Sequence, residues 1–309
     1  MKNLPADAVL IAGPTASGKS AAALVLAEQI GGAIVNADSM QVYAEPHILT
    51  ARPWDEDMSR VPHLLYGHLS AREPYSVGHY QSDAAQALEE VRTMGRVPIF
   101  VGGTGMYFAV LTDGIANIPG VPAGIRGRAE ALRKEIGAEA FHGELAKRDP
   151  EAAARLRTSD TQRVLRAYEV FEATGRPLSY WQKQMGKPVL DEFRLARFVI
   201  TPPREELYAR IDARFDHMVE QGALKEAAAL ADIDPVLPAA KILGRRELLA
   251  VSSGTMSLDE AKAAAKQATR QYAKRQLTWF RNRMADWRWI DSAESAAVLL
   301  TECGVSRVE

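Results

Sequence analysis

Residues 13–20 read GPTASGKS and fit the pattern G-x(4)-G-K-[ST]. Few short runs constrain a chain so strongly. Gly13 and Gly18 permit tight turns with no side chain in the way of an anion. Across Pro14, Thr15, Ala16 and Ser17 the chain can then turn so that the amides after the proline line one concavity, and the following helix adds the positive end of its dipole. Lys19 supplies a mobile positive charge, and Ser20 offers a hydroxyl suited to Mg2+. Such a loop needs a strand before it and a helix after it. Ala8–Ala12 is a short apolar run, and Ser20–Ile30 is rich in alanine and leucine. A glycine-rich turn with an incidental lysine would not require that frame. The run therefore predicts a held phosphate. It leaves open an NTPase, a kinase, or an enzyme that uses the cradle for another phosphorylated substrate.

The rest of the chain supplies the matching architecture. Gly31-Gly32 stops the first helix, and Ala33–Asn36 reads as a second strand that leads into Asp38. Val77–Val91 reads as a helix, and Val97–Val101 as a third strand running into Gly102-Gly103-Thr104-Gly105. Alternation of this kind predicts a parallel sheet flanked by helices. Near Asn117 the texture changes. IPGVPAG is a turn segment by composition, and Ile125 to Gln184 reads as helical. Arg197–Thr201 returns the chain to the sheet. Glu205–Leu230 reads as a long amphipathic helix broken near Gly222, and Ser257–Met284 as another, opened by the capping box Ser257…Glu260. The expected fold is α/β, a P-loop NTPase-like parallel sheet core with a mainly helical insertion. Residues 1–118 form the first part of the core, 119–190 the insertion, and 191–309 the return to the core with C-terminal helices.

Bulk charge narrows the function classes. With 38 Lys and Arg against 39 Asp and Glu, any nucleic-acid surface must be local. The single cysteine, Cys303, excludes an intrachain disulfide framework, and the six dispersed histidines form no zinc pattern. No secretory leader and no run of about 18 apolar residues is visible, so a cytoplasmic, soluble monomer is expected.

Five further stretches carry candidate chemistry. In NADSMQVY, residues 36–43, Asp38 falls at a strand's carboxyl end, on the rim the phosphate loop occupies. Its carboxylate can hold a metal-bound water or accept a proton from a nucleophile. Gln41 pairs a donor with an acceptor, which suits a base edge. The plainer reading of Asp38 is a strand end that caps a helix. In GGTGMY, residues 102–107, Thr104 is the one hydrogen-bonding side chain inside a glycine run; a purely structural turn is the alternative. Two segments are basic. Arg155, Arg157, Arg163 and Arg166 flank Ser159–Gln162, while Arg270, Lys274, Arg275, Arg281 and Arg283 interleave with Tyr272, Trp279 and Phe280. Cations mixed with aromatics suit a phosphate backbone and unstacked bases, and equally a solvated helix face. In REELYARIDARFD, Arg210 and Arg214 share a helical face, placed either to clamp an anion or to pair with Glu205, Glu206 and Asp212.

Taken in order, GPTASGKS, NADSMQVY, TARP at 50–53, GGTGMY, SDTQRVLRAYEVFEATGRPLS at 159–179, RIDARFDHMVEQG at 210–222 and YAKRQLTWFR at 272–281 strongly resemble the bacterial tRNA dimethylallyltransferase family. The resemblance implies transfer of the dimethylallyl group from dimethylallyl diphosphate to N6 of adenosine 37 in tRNA, with release of diphosphate. It implies Mg2+, and an anticodon stem-loop gripped by the helical insertion. It assigns Gly13–Ser20 and Arg210 to the diphosphate, Ser20 to the metal, and Asp38 and Thr104 to catalysis. Asp38, Ser39, Met40, Gln41, Thr104, Gln162, Arg163, Val164, Leu165 and Arg166 are then the tRNA-contact residues. The chain departs from the family at Arg52, where lysine is usual, and at Arg245, where ILGRRELLA replaces a glycine-tyrosine segment. A nucleotide-dependent kinase and a non-catalytic RNA-binding protein are the competing classes.

Overall fold

Every residue of AVLIA, residues 8–12, is apolar, and all five are buried, as a strand covered on both faces requires. This strand lies inside a parallel sheet in a computed structural model that describes residues 6–292 and 294–304. Among the described residues the strands are β1 (Ala8–Ala12), β2 (Gly32–Asn36), β3 (His63–Leu64), β4 (Val97–Gly102), β5 (Leu195–Ile200) and β6 (Arg288–Ile290). They lie in the order β3-β2-β4-β1-β5-β6. Every pairing is parallel, with β1 seated between β4 (Val9↔Ile99, Ala12↔Gly102) and β5 (Ala8↔Leu195, Ala12↔Val199). β3 and β6 were not expected from the sequence: at two and three residues they are too short to show a period. Gly32, read as a helix stop, opens β2 instead.

The chain divides into two compact units. One comprises Met1–Leu111 with Val189–Glu309, and the other Thr112–Pro188. The helices of the first part are α1 (Lys19–Ile30), α2 (Asp55–Arg60), α3 (Val77–Thr93) and α4 (Gly105–Thr112). The second unit holds α5 (Ala123–Ile136), α6 (Ala138–Arg148), α7 (Pro150–Arg155), α8 (Thr161–Thr174) and α9 (Leu178–Gln182). The first unit resumes with α10 (Arg204–Glu220), α11 (Ala223–Ala229), α12 (Arg245–Ser252), α13 (Leu258–Arg283) and α14 (Ser295–Glu302).

Alanine explains how α1 sits so close to the sheet. Ala22, Ala23, Leu26 and Ala27 share one core with Val9, Ile11 and Ile99 of the sheet and Leu299 of α14. The expected break in the 205–230 helix is real: Gly222 has φ 105°, and α11 starts directly after it. α13 opens on the capping box, with the Glu260 amide donating to Ser257 Oγ at 3.3 Å and the Ser257 amide to Glu260 Oε2 at 2.9 Å.

The Arg245 guanidinium has a structural role. The side chain is buried; its Nη2 and Nε donate to the Leu230 carbonyl at 2.7 and 3.0 Å, Nη2 also reaches the Ala231 and Ile233 carbonyls, and Nη1 reaches the Ala240 carbonyl. The end of a helix leaves carbonyls without intrahelical partners, and five fixed N–H groups satisfy several at once. Arg52 fits beside Gly67, whose φ is +56° and where any Cβ would collide with the guanidinium.

The helical unit has its own core of Phe141, Leu145, Ala152, Ala167 and Val170. Buried Asp149 ties α7 to α9, its Oδ1 accepting from the Ala152 amide and its Oδ2 from the Ser179 amide, both at 3.0 Å. This core bears on the Gln162–Arg166 stretch. Val164, grouped with Gln162–Arg166 as a tRNA contact, is 2% exposed and packs inside the unit, with Leu165 against the same core. On a helix of 3.6 residues per turn, a five-residue run cannot present every side chain outward. Gln162, Arg163 and Arg166 remain on the surface.

Candidate active site

Three of the motifs meet because their strands are neighbours. β2, β4 and β1 lie side by side and parallel, so the loops leaving their carboxyl ends share one rim. The Gly13 amide donates to the Gly102 carbonyl at 3.2 Å, and the Thr104 amide donates to the Ala37 carbonyl at 3.2 Å. GPTASGKS, NADSMQVY and GGTGMY are thereby stitched together across the sheet.

The phosphate loop forms one wall of a cradle of about 400 Å³, lined by residues 15–21 with Asp38, Gln41, Thr50, Ala51, Arg210 and Arg214. Gly18 is left-handed at φ 85° and ends the loop where α1 begins. Lys19 is half-buried, with Nζ 3.2 Å from the Pro14 carbonyl. Burial pulls its ammonium down to about 8; the nearby Asp38 carboxylate opposes that fall and the Arg214 cation reinforces it. Arg214 donates to Thr15 Oγ1, and burial lowers its guanidinium to about 10 despite the Asp38 charge. Arg210 is ion-paired with Glu206 and also lines the cradle. The family resemblance assigns only Arg210 to the diphosphate. The structure seats Arg214 directly on the loop, and their four-residue spacing was the signal that both reach it.

Asp38 is held by its neighbours rather than by a helix. Its amide donates to Asn36 Oδ1 at 2.8 Å, and its Oδ1 accepts from the Met40 amide at 3.0 Å. Buried Asn36 then reaches the Asp38 and Leu65 carbonyls at 2.9 and 3.0 Å. Thr104 Oγ1 accepts from the Ser39 amide at 2.9 Å and lies within hydrogen-bonding reach of the Tyr272 hydroxyl. Burial, and then the Asp38 charge, keeps that phenol well above its ordinary value. The Gln41 side-chain nitrogen donates to the Thr50 and Ala51 carbonyls at 3.0 and 2.8 Å, which anchors the TARP turn.

A second cavity of about 320 Å³ opens from the same place. Thr15, Asp38, Thr50 and Arg214 line both spaces. Beyond them the walls turn apolar, with Met40, Leu49, Ile211, Phe215, Met218 and Ile242 among the lining, while Lys241, Tyr272 and Arg275 add polar groups. Asp38 thus stands between a cationic cradle and an apolar chamber. The basic-aromatic segment of α13 divides its labour. Tyr272 and Arg275 face the chamber, Arg270 pairs with Asp212 at 2.7 Å, and Phe280 is buried.

Ser20 lines the cradle that Asp38 also faces. One hydroxyl and one carboxylate are hard oxygen donors of the kind Mg2+ uses alongside water and phosphate oxygens. The donors therefore fit Mg2+ held mainly by a bound diphosphate. Among the described residues no group of three His, Cys, Asp or Glu side chains could hold a metal by itself.

Known proteins resemble this chain in sequence and fold. The family described as IPP transferase matches residues 41–283, and that described as isopentenyl transferase matches residues 6–69. A tRNA dimethylallyltransferase of Bradyrhizobium sp. (strain ORS 278) is 52% identical over 298 residues, spanning 95% of this chain and 96% of its own. The crystal structure of a full-length tRNA isopentenylpyrophosphate transferase from Bacillus halodurans is similar with a TM-score of 0.67 at 34% identity, covering 96% of this chain and 95% of that one. A eukaryotic dimethylallyltransferase, seen crystallographically acting on tRNA, is similar with a TM-score of 0.77 at 27% identity, covering 92% of this chain and 73% of that one.

Proposed function

Because the chain belongs to the tRNA dimethylallyltransferase family, a family of prenyltransferases, we propose that it moves the dimethylallyl group of dimethylallyl diphosphate to N6 of adenosine 37 in tRNA. The observation that carries this reading is the position of Asp38, shared by the cationic cradle and the apolar chamber. The core is read as P-loop NTPase-like, because the phosphate loop joins the central β1 to α1. Here its cradle serves a leaving group rather than an energy nucleotide.

The chemistry needs both spaces. The exocyclic amine of adenine is a weak nucleophile, so it must be placed in line with the breaking bond. Its nitrogen bonds to C1 of the allylic group while the C1–O bond breaks, and the electron pair leaves with diphosphate. Asp38 accepts the proton from N6. Lys19, Arg210, Arg214 and the amides at the start of α1 stabilise charge as it gathers on the diphosphate. Ser20 is the residue that would hold Mg2+ beside the diphosphate, and the ion would supply further neutralisation of that charge. Thr104, fixed by the Ser39 amide, steers the base or the diphosphate beside Asp38. The apolar walls keep water from the electrophilic carbon. A base in a single-stranded anticodon loop leaves its stack more readily than one in a duplex.

The reading also places the protein in the cytoplasm as a monomer, with Asp38–Gln41 and the exposed side chains of Gln162, Arg163 and Arg166 contacting tRNA. Arg163 is 76% exposed and pairs with Asp160 at 3.1 Å. Arg163→Ala is expected to weaken tRNA binding and to reduce the slope of log affinity against log salt by about 1. Filter binding across a salt series reads this directly, and an unchanged slope would remove Arg163 from the interface.

The reaction itself is tested with unmodified tRNA, dimethylallyl diphosphate and Mg2+, followed by digestion and nucleoside mass analysis. One added five-carbon unit on adenosine is expected. No gain on adenosine together with ATP turnover would favour a kinase. tRNA affinity without turnover of either substrate would favour a binding protein.

A further inference from the structure

We propose that Gln276 of α13 is a positioning residue that sets the spacing between the leaving-group cradle and the Asp38–Thr104 pair. The proposal rests on the prenyl-transfer reading of the site. Gln276 lies far along the chain from both loops, yet its amide bridges them. Its Oε1 accepts from the Thr15 backbone N–H at 3.0 Å, and its Nε2 donates to the Gly103 carbonyl at 2.8 Å. The side chain is 6% exposed, so neither bond has water as a ready substitute.

Both ends of the bridge touch the chemistry. Thr15 is held twice, by Gln276 on its amide and by Arg214 on its hydroxyl, which fixes the turn of the phosphate loop. The Thr15 amide is thereby engaged by protein, which distinguishes it from the amides at the head of α1. At the other end, Gly103 immediately precedes Thr104. A Cβ at Gly103 would collide with Gln276 Nε2 and lie 3.2 Å from Asp38 Oδ2. The absent side chain is what lets the amide and the carboxylate close on the same turn.

A primary amide suits this. One planar group must accept from one loop and donate to the other, and the amides of asparagine and glutamine carry an acceptor oxygen and a donor nitrogen side by side on a neutral, flexible side chain. Asparagine is one methylene shorter. Methionine matches the length of glutamine but offers neither strong bond. Glutamate keeps the acceptor toward Thr15. When ionised it cannot donate to the Gly103 carbonyl, and it brings negative charge to the loop; when protonated it recovers a donor.

The test compares Gln276→Met, Gln276→Asn and Gln276→Glu in the full-length protein by steady-state kinetics, tRNA binding and thermal melting. Gln276→Met is expected to lower kcat by about a hundredfold, the scale of a small misplacement of reacting groups, with tRNA affinity little changed and the fold retained, the melting temperature falling modestly for the unpaired Thr15 amide and Gly103 carbonyl. Gln276→Asn should show a similar loss. Gln276→Glu should raise KM for dimethylallyl diphosphate more than Gln276→Met does, and it should regain activity relative to wild type as pH falls toward the carboxyl pKa. A merely structural residue would not give that pH signature. Wild-type kcat in Gln276→Met with an intact fold overturns the proposal. So does loss of kcat, tRNA affinity and melting temperature together in all three variants. Wild-type protein is assayed in parallel; its failure to transfer the dimethylallyl group would sink the prenyl-transfer reading instead.

Discussion

Asp38→Asn is expected to lower turnover by about 10²–10⁴-fold, the range for removing a positioned general base, while dimethylallyl diphosphate still binds. Asparagine is the informative replacement. Asp38 Oδ1 accepts from the Met40 amide, and an asparagine oxygen can do the same. The turn should therefore survive while the base is lost. Asp38→Ala removes both, and the difference between the variants isolates the structural share. Binding is measured by calorimetry with the diphosphate substrate, and turnover by transfer to unmodified tRNA. If Asp38→Asn keeps near wild-type turnover, another group takes the proton. If binding and turnover fall equally, Asp38 is a ligand-holding residue rather than the base.

The second expected result is a pH profile governed by Lys19. Burial pulls its ammonium down to about 8 in the free site. The protonated form binds diphosphate, so the direction is fixed. kcat/KM for dimethylallyl diphosphate should be flat below that pH and decline above it, by about tenfold per pH unit at the limit of a single ionisation. A bound dianion or trianion favours the ammonium, so the corresponding limb in kcat should lie at higher pH. Lys19→Arg should abolish the limb, since a guanidinium stays charged throughout this range. Lys19→Met should lose about 10²–10³ in kcat, as for one donor to a developing oxyanion. The two results are coupled. The Asp38 charge supports the Lys19 ammonium, so Asp38→Asn should move the Lys19 limb to lower pH. A profile flat through pH 9 in the wild type would show that Lys19 stays charged in the free site.

Much of the site was legible from local pattern. The phosphate loop is contiguous, and its spacing carries its own geometry. Asp38 and Thr104 each follow an apolar run, and in a parallel sheet the carboxyl ends of strands share a rim. Arg210 and Arg214 sit four apart on one helix, so a single face presents both. The capping box of α13 was equally local. What escaped was whatever depends on distant chain. β3 and β6 exist because β2 and β5 offer edges for them, not because two or three residues prefer a strand. The inward packing of the Val164 side chain escaped as well, because the stretch around it was read as a run, when the helix turns that side chain inward.

Sequence alone determined the phosphate loop, the order of motifs, the parallel α/β plan and the family, because each is written in contiguous residues or in their order. Tertiary structure alone decided which loops touch. It placed Gln276 between Thr15 and Gly103, 261 and 173 positions away along the chain. It set Arg214 on the loop beside Asp38, and it gave Arg245 its helix-end carbonyls. The physical reason is the same in each case. A hydrogen bond between distant residues, or a pKa shifted by burial, depends on how the chain packs, and no local spacing records it.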